Sequence, residues 1–293
     1  MSTVIRNLIL CGGIDLARQT ESMLEKTSKN GDEFIPWLTN TVAIPKQGSL
    51  NTEFWLAKYI TEDPATLAML DKVRLLADYP FPVLIQGETG TGKELIAKAL
   101  HGFRVNKNAK SFIAVNCTAL PADLIESELF GHERGAFTGA IQQRTGKFGL
   151  AYNGTLFLDE IRDMPMEAQA KLLRVLNDGT YTPLGGDTQL TTTARIVSAT
   201  NYSLKSLVGI KQFRLDLLKR IDTFVIKTIP LRDRLCDLKP IANAYLGKAE
   251  ADKLPYNLLE QRKYEGNVRE YLSLLDVWRV FKQLPEDINY TTT

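Results

Sequence analysis

The chain has 293 residues, 44% of them hydrophobic and 24% charged, with a net charge of +2. This is a globular composition, enough for one large domain or one of ordinary size plus a smaller one. Three scattered cysteines and two histidines exclude a disulfide framework and weaken any zinc reading, and no Lys/Arg block is dense enough to track nucleic-acid phosphates.

In chain order, residues 1–57 read as a strand (Val4–Leu10), a Gly12-Gly13 turn, an amphipathic helix (Ile14–Lys26) and a polar connection with Pro36, Pro45 and Gly48. Arg6, Asn7 and Asp15 make the first stretch too polar for a signal peptide or a membrane span. The expected location is the reducing cytoplasm, with no membrane. Residues 58–235 alternate strands and helices, and residues 236–293 read as helical (Leu238–Lys248, Asn267–Lys282). Such alternation implies an α/β fold, a mostly parallel sheet flanked by helices, followed by a smaller C-terminal helical region.

Within the middle region, the strand Val83–Gln86 runs into Gly87-Glu88-Thr89-Gly90-Thr91-Gly92-Lys93-Glu94, and a helical pattern opens at Leu95–Leu100. Strand, glycine loop and helix form the context of a P-loop: backbone N–H groups line an anion nest, the helix N-terminus adds positive charge, and Lys93 reaches the outer phosphates. The chain is therefore expected to bind a nucleoside triphosphate. Glu94 stands where the general pattern has a Ser or Thr hydroxyl for Mg²⁺.

The strand Phe112–Asn116 ends in an amide, which either opens a turn or holds Glu160 away from water until the nucleotide changes. The strand Thr155–Leu158 ends in Asp159-Glu160. Beside a P-loop, Asp159 would hold Mg²⁺, directly or through water, and Glu160 would orient or deprotonate the attacking water. A helix over Met166–Leu176 is stopped by Gly179. The strand Arg195–Ala199 is closed by Thr200-Asn201, whose amide either senses the γ-phosphate or simply opens a turn. Arg214 and Arg220 are surface charge or, in an oligomer, fingers inserted into a neighbouring subunit's site. A strand over Phe224–Lys227 follows. Arg269, in Gly266-Asn267-Val268-Arg269-Glu270, stands where it would reach the nucleotide from the helical region.

Between the phosphate loop and the paired carboxylates lies Glu128-Leu129-Phe130-Gly131-His132-Glu133-Arg134, then Gly135-Ala136-Phe137-Thr138-Gly139-Ala140. The last six residues spell GAFTGA, and the chain resembles the AAA+ ATPase domain of the bacterial enhancer-binding proteins that activate sigma-54 RNA polymerase. The resemblance runs from about Asp63 to Arg234 and resumes at Gly266–Glu270. It includes Glu94, so the missing hydroxyl is a family trait. It implies that Asn116 partners the catalytic Glu160, that Asn201 is the first sensor and Arg269 the second, and that Arg214 and Arg220 act in trans. It further implies a γ-phosphate-dependent switch in how Glu160 and Asn116 pair, moving a loop whose Phe137-Thr138 tip grips the sigma-54 factor. The implied partners are RNA polymerase holoenzyme and other copies of the chain in a ring, six being the family expectation.

The chain departs from the family at its end. After Arg269 only 24 residues follow, too few for a helix-turn-helix, so DNA binding by this chain alone is not expected. Tyr264-Glu265 replaces the usual Trp-Pro, and the lid looks shortened. The leading expectation is an ATP-hydrolysing, ring-forming activator. Two alternatives are an adaptor or interfering subunit that binds sigma-54 or full-length activators, and an AAA+ remodeller of another protein.

Overall fold

The computed structural model describes residues 49–102 and 111–285. The strand expected over Val4–Leu10 and the helix over Ile14–Lys26 lie outside the described residues. Helices α1 (Ser49–Leu56) and α2 (Pro64–Ala77) lead into β1 (Val83–Gln86), α3 (Lys93–Gly102), β2 (Phe112–Asn116) and α4 (Ala122–Phe130). A short strand β3 (Gly131–His132) pairs antiparallel with β4 (Arg144–Thr145). Next come β5 (Thr155–Asp159), α5 (Met166–Asp178) and a second short antiparallel pair, β6 (Thr180–Tyr181) with β7 (Leu190–Thr191). The core closes with β8 (Arg195–Thr200), α6 (Leu204–Gly209), α7 (Leu215–Ile221) and β9 (Val225–Lys227), and the lid is built mainly on α8 (Leu238–Leu246) and α9 (Asn267–Phe281).

The main sheet is parallel throughout, in the order β2-β5-β8-β1-β9. Side chains alternate between its two faces, as the period of a strand requires. Leu84, Leu156, Leu158 and Ile196 pack under α4, α5, α6 and α7, while Val83, Ile85, Phe157, Val197 and Ala199 pack under α1, α2 and α3. Because β8 lies between β1 and β5, its end at Asn201 falls between the phosphate-type loop and the paired carboxylates. Among the described residues no helix is long and apolar enough to cross a membrane.

Local chemistry sets the element ends. Asp63 caps α2 by accepting from the Thr66 N–H at 2.7 Å, with Pro64 at the first helical position. Gly179, at φ 68°, ends α5 where expected, its N–H bonded to the Val175 carbonyl. The helix expected over Leu238–Lys248 stops at Leu246, because Gly247 turns to φ 84° and the chain restarts as a single turn, Lys248–Ala251.

Two further differences concern domain edges and lid packing. The second compact unit includes residues 49–57, which by sequence read as part of the N-terminal segment. Helix α1 belongs to that unit: the Thr52 hydroxyl donates to the Ala99 carbonyl at 3.0 Å, and Leu56 joins the core beneath α3. In the lid, Tyr264 is buried, its hydroxyl donating to the Leu259 carbonyl at 2.8 Å and its ring lying edge-on to Tyr271 at 5.7 Å. Tyr264, where the family usually has Trp, thus fills a packed, hydrogen-bonded site.

Candidate functional site

The loop after β1 is shaped by what surrounds it. A side chain at Gly87 would meet the Thr228 hydroxyl at 1.7 Å, and one at Gly90, where φ is +79°, would meet the Gly266 carbonyl at 2.1 Å. Thr91 ties the loop down by donating to the Glu88 carbonyl at 2.7 Å, and the Tyr59 hydroxyl donates to the Thr91 carbonyl at 2.7 Å. Lys93 is buried at the start of α3, and its ammonium donates to the carbonyls of Gly87 at 3.0 Å and Glu88 at 3.3 Å. A cation is thus held inside a loop at a helix N-terminus, an arrangement suited to a phosphate chain.

Glu94, the last residue of the loop pattern, has its side-chain partner outside the loop. The carboxylate is exposed on α3 and pairs with Lys98 at 2.7 Å, one helical turn away. Its charge nonetheless reaches the site, helping to raise the Asp159 pKa.

At the end of β5, burial raises the Asp159 pKa, and the neighbouring Glu160 raises it further, while Lys93 opposes both. Glu160 takes left-handed backbone angles (φ 49°, ψ 51°), uncommon for a bulky residue and concentrated at functional sites. Its carboxylate lies 3.6 Å from the Lys93 ammonium and accepts from the Asn201 N–H at 3.3 Å. The Asn201 amide in turn donates to the Thr89 hydroxyl at 3.3 Å. Lys93, Glu160, Asn201 and the phosphate-type loop therefore converge.

Asn116 is the exception. It is in register with Asp159, yet its side-chain oxygen accepts from the Thr118 N–H at 2.9 Å and caps the following turn. Glu160 is flanked instead by Arg162, 3.7 Å from its second oxygen, a residue that sequence reasoning passed over.

A second region missed from sequence lies behind the loop. An apolar cavity of about 240 Å³ is lined by Tyr59, Leu95 and Arg234 from the core side and by Ile241, Val268 and Leu272 from the lid. Arg234 is buried against Asp237 at 2.6 Å, with its guanidinium 5.3 Å from the centre of the Tyr59 ring. The fully buried Asp237 also accepts from the Glu62 N–H at 2.6 Å, so lid and core share one ionic joint. Such a cavity beside a phosphate nest suits the flat, apolar part of a nucleotide. Arg269 is exposed on the first turn of α9, where its β-carbon lies 3.2 Å from where a β-carbon at Gly90 would stand.

Arg214 and Arg220 lie apart from this constellation. The Arg214 guanidinium makes a two-point pair with Asp216 at 3.0 and 2.7 Å, and Arg220 donates to the Leu176 carbonyl at 3.2 Å. Among the described residues neither has a hydrogen bond or ion pair to the loop, Asp159 or Glu160.

The 135–140 loop stands on the β3–β4 pair. Its neck is closed by the Gly135 N–H donating to the Ala140 carbonyl at 2.8 Å, with φ of +83° at Gly135 and +102° at Gly139. Phe137 is 39% exposed and rests edge-on against the ring of His132, 5.0 Å away. His132 is buried and held by a 2.7 Å hydrogen bond to Ser127. Thr138 is exposed.

With this geometry in hand, comparisons place the chain among known proteins. The family described as "Sigma-54 interaction domain" matches residues 59–227. The DNA-binding transcriptional regulator NtrC of Bradyrhizobium sp. (strain RP501 Parasponia) is 44% identical over 244 residues, covering 80% of this chain and 50% of that protein. The formate hydrogenlyase transcriptional activator FhlA of Escherichia coli (strain K12) is 41% identical over 246 residues, covering 81% of this chain and 35% of that protein. The chain thus spans half the length of these relatives or less. The crystal structure of NtrX from Brucella abortus superposes with a TM-score of 0.66 at 25% identity, covering 95% of this chain and 60% of that one. That protein has also been solved in complex with ATP, with a TM-score of 0.68 at 23% identity, covering 97% of this chain and 58% of that one; this second likeness bears on fold alone. The chain belongs to the sigma-54 interaction domain family, the AAA+ domain of the sigma-54-dependent transcriptional activators.

Proposed function

We propose that the chain is an ATPase that works as a ring and remodels sigma-54 RNA polymerase through the 135–140 loop. The observation that carries this reading is the convergence of the Lys93 ammonium and the Glu160 carboxylate, 3.6 Å apart. It occurs in a chain that also presents Phe137 and Thr138 on a glycine-necked loop.

The triphosphate lies along the Gly87–Lys93 loop, with the backbone N–H groups and Lys93 neutralising its charge. The base occupies the cavity between Tyr59 and Val268. The donor set suits magnesium: Asp159 is a carboxylate that burial and Glu160 leave short of positive charge, and Mg²⁺ is commonly held by one or two carboxylates plus substrate phosphates. When bound, the ion would neutralise charge on the phosphates. Glu160 aligns a water with the γ-phosphorus and accepts its proton, while Asn201 reports whether the γ-phosphate is present. Arg269 contacts the phosphates from the lid, and Arg214 and Arg220 supply positive charge to the neighbouring subunit's site.

In the switch we propose, the arrival of the γ-phosphate frees Glu160 from Lys93 and lets Asn116, already in register beside Asp159, take up its carboxylate. The movement passes to the 135–140 loop and lifts Phe137 off His132. The test is Thr138→Ala: ATP turnover should stay close to wild type while retention of sigma-54 with an ATP transition-state analogue is lost. A wild-type protein that turns over ATP but never retains sigma-54 would sink the partner assignment and leave a remodeller of another protein.

A further inference from the structure

The Asn267 side chain ties two separate segments together. It is fully buried, and its backbone sits at φ +54°, a conformation that Asn and Gly adopt most readily. Its oxygen accepts from the Leu231 N–H at 2.8 Å, where the chain enters the lid. Its amide nitrogen donates to the Thr89 carbonyl at 3.0 Å and to the Glu88 carboxylate at 3.1 Å, both in the phosphate loop. Glu88 completes the joint with a two-point pair to Arg232 at 2.7 and 2.6 Å.

The direction of these bonds matters. A peptide's C=O and the next residue's N–H point opposite ways. Holding the Thr89 carbonyl toward the lid therefore turns the Gly90 N–H to the other side. Glu88, although part of the loop, spends its charge on the lid and not on a ligand. Arg269 stands two residues beyond Asn267, directly over Gly90.

We propose that Asn267, with Glu88 and Arg232, is a positioning clasp that fixes Arg269 relative to the phosphate loop, so that ATP affinity depends on the clasp through Arg269. This rests on the reading of the loop as an ATP site.

The experiment is a double-mutant cycle on the full chain, reading the affinity of a fluorescent ATP analogue and steady-state turnover. Asn267→Gly keeps the left-handed backbone and removes only the amide; Arg269→Ala removes the arginine. Each alone should weaken ATP binding by about tenfold, the size expected for losing one hydrogen bond to a charged group. The double variant should be no worse than Arg269→Ala. Additive losses in a wild-type background that binds ATP would overturn the clasp alone, because a merely structural role in the lid predicts them. A wild type that binds no ATP would overturn the site reading together with the clasp. Asn267→Asp supplies an independent arm, since it sets a carboxylate against Glu88: it should weaken ATP binding, and adding Glu88→Gln should restore much of the loss. Absence of that rescue would also count against the clasp.

Discussion

Asp159 is costly to ionise in the free protein, because burial and Glu160 both raise its pKa above 3.8. A carboxyl with a raised pKa favours folding below its unfolded value and loses that advantage as pH rises through the folded one. Asp159→Asn should therefore raise the melting temperature of nucleotide-free protein near neutral pH, by an amount on the order of a few degrees. The gain should fade as pH falls toward 3.8, and magnesium-dependent turnover should disappear. Glu88 has the opposite sign. Arg232 first and Asn267 second lower its pKa from 4.5 to about 2, so its contribution is complete above pH 4.5 and lost as pH falls toward about 2. The pair is partly solvated, which limits what it adds to stability. For Glu160→Gln, ATP should still bind while turnover falls by about 10²–10⁴-fold, the usual share of a general base. Retained turnover would move the base elsewhere. Residue identity at Lys93, Asp159, Glu160 and Asn201 was legible because each ends a strand or opens a helix in a recognisable pattern. Arg162 and Asn267 were not, since neither side chain's partners follow from its neighbours in sequence.

At the scale of elements, β8 depends on a residue that looks out of place in a buried strand. Arg195 is 1% exposed, and its guanidinium donates to the carbonyls of Leu100 at 2.7 Å, Leu76 at 2.8 Å and Phe81 at 3.2 Å. Two of those carbonyls belong to the last turns of α2 and α3, where helices have no internal donors left. Arg195→Met should therefore cost about 3 kcal/mol or more in a urea unfolding curve, since several buried acceptors lose their donor. A change under about 1 kcal/mol would mean that water or rearrangement replaces it. The strands themselves were readable from short apolar runs, and α5 from its period and its stop at Gly179. Helix α1 was not, because its eight residues follow a polar stretch and it is held by α3, a partner far along the chain.

At the scale of the whole molecule, Arg214 and Arg220 sit on the surface with no bond to this chain's own loop or carboxylates among the described residues. Their proposed role therefore requires a second copy. Mixing Arg214→Ala with Glu160→Gln protein should restore part of the ATP turnover that each lacks alone, because a mixed interface has one intact base facing one intact arginine. No rescue at any mixing ratio would confine Arg214 to surface charge.

Sequence by itself determined the phosphate loop, the carboxylate pair, the parallel alternation and the family, because each is encoded in residues adjacent along the chain. Tertiary structure alone decided which way those residues face. It turned Glu94 outward to Lys98, occupied Asn116 with Thr118, and opened a cavity between Tyr59 and Val268. It also brought Glu88 to Asn267 across 179 positions. Periodicity and spacing specify a side chain's place on its own element, whereas its partners depend on how separate elements pack.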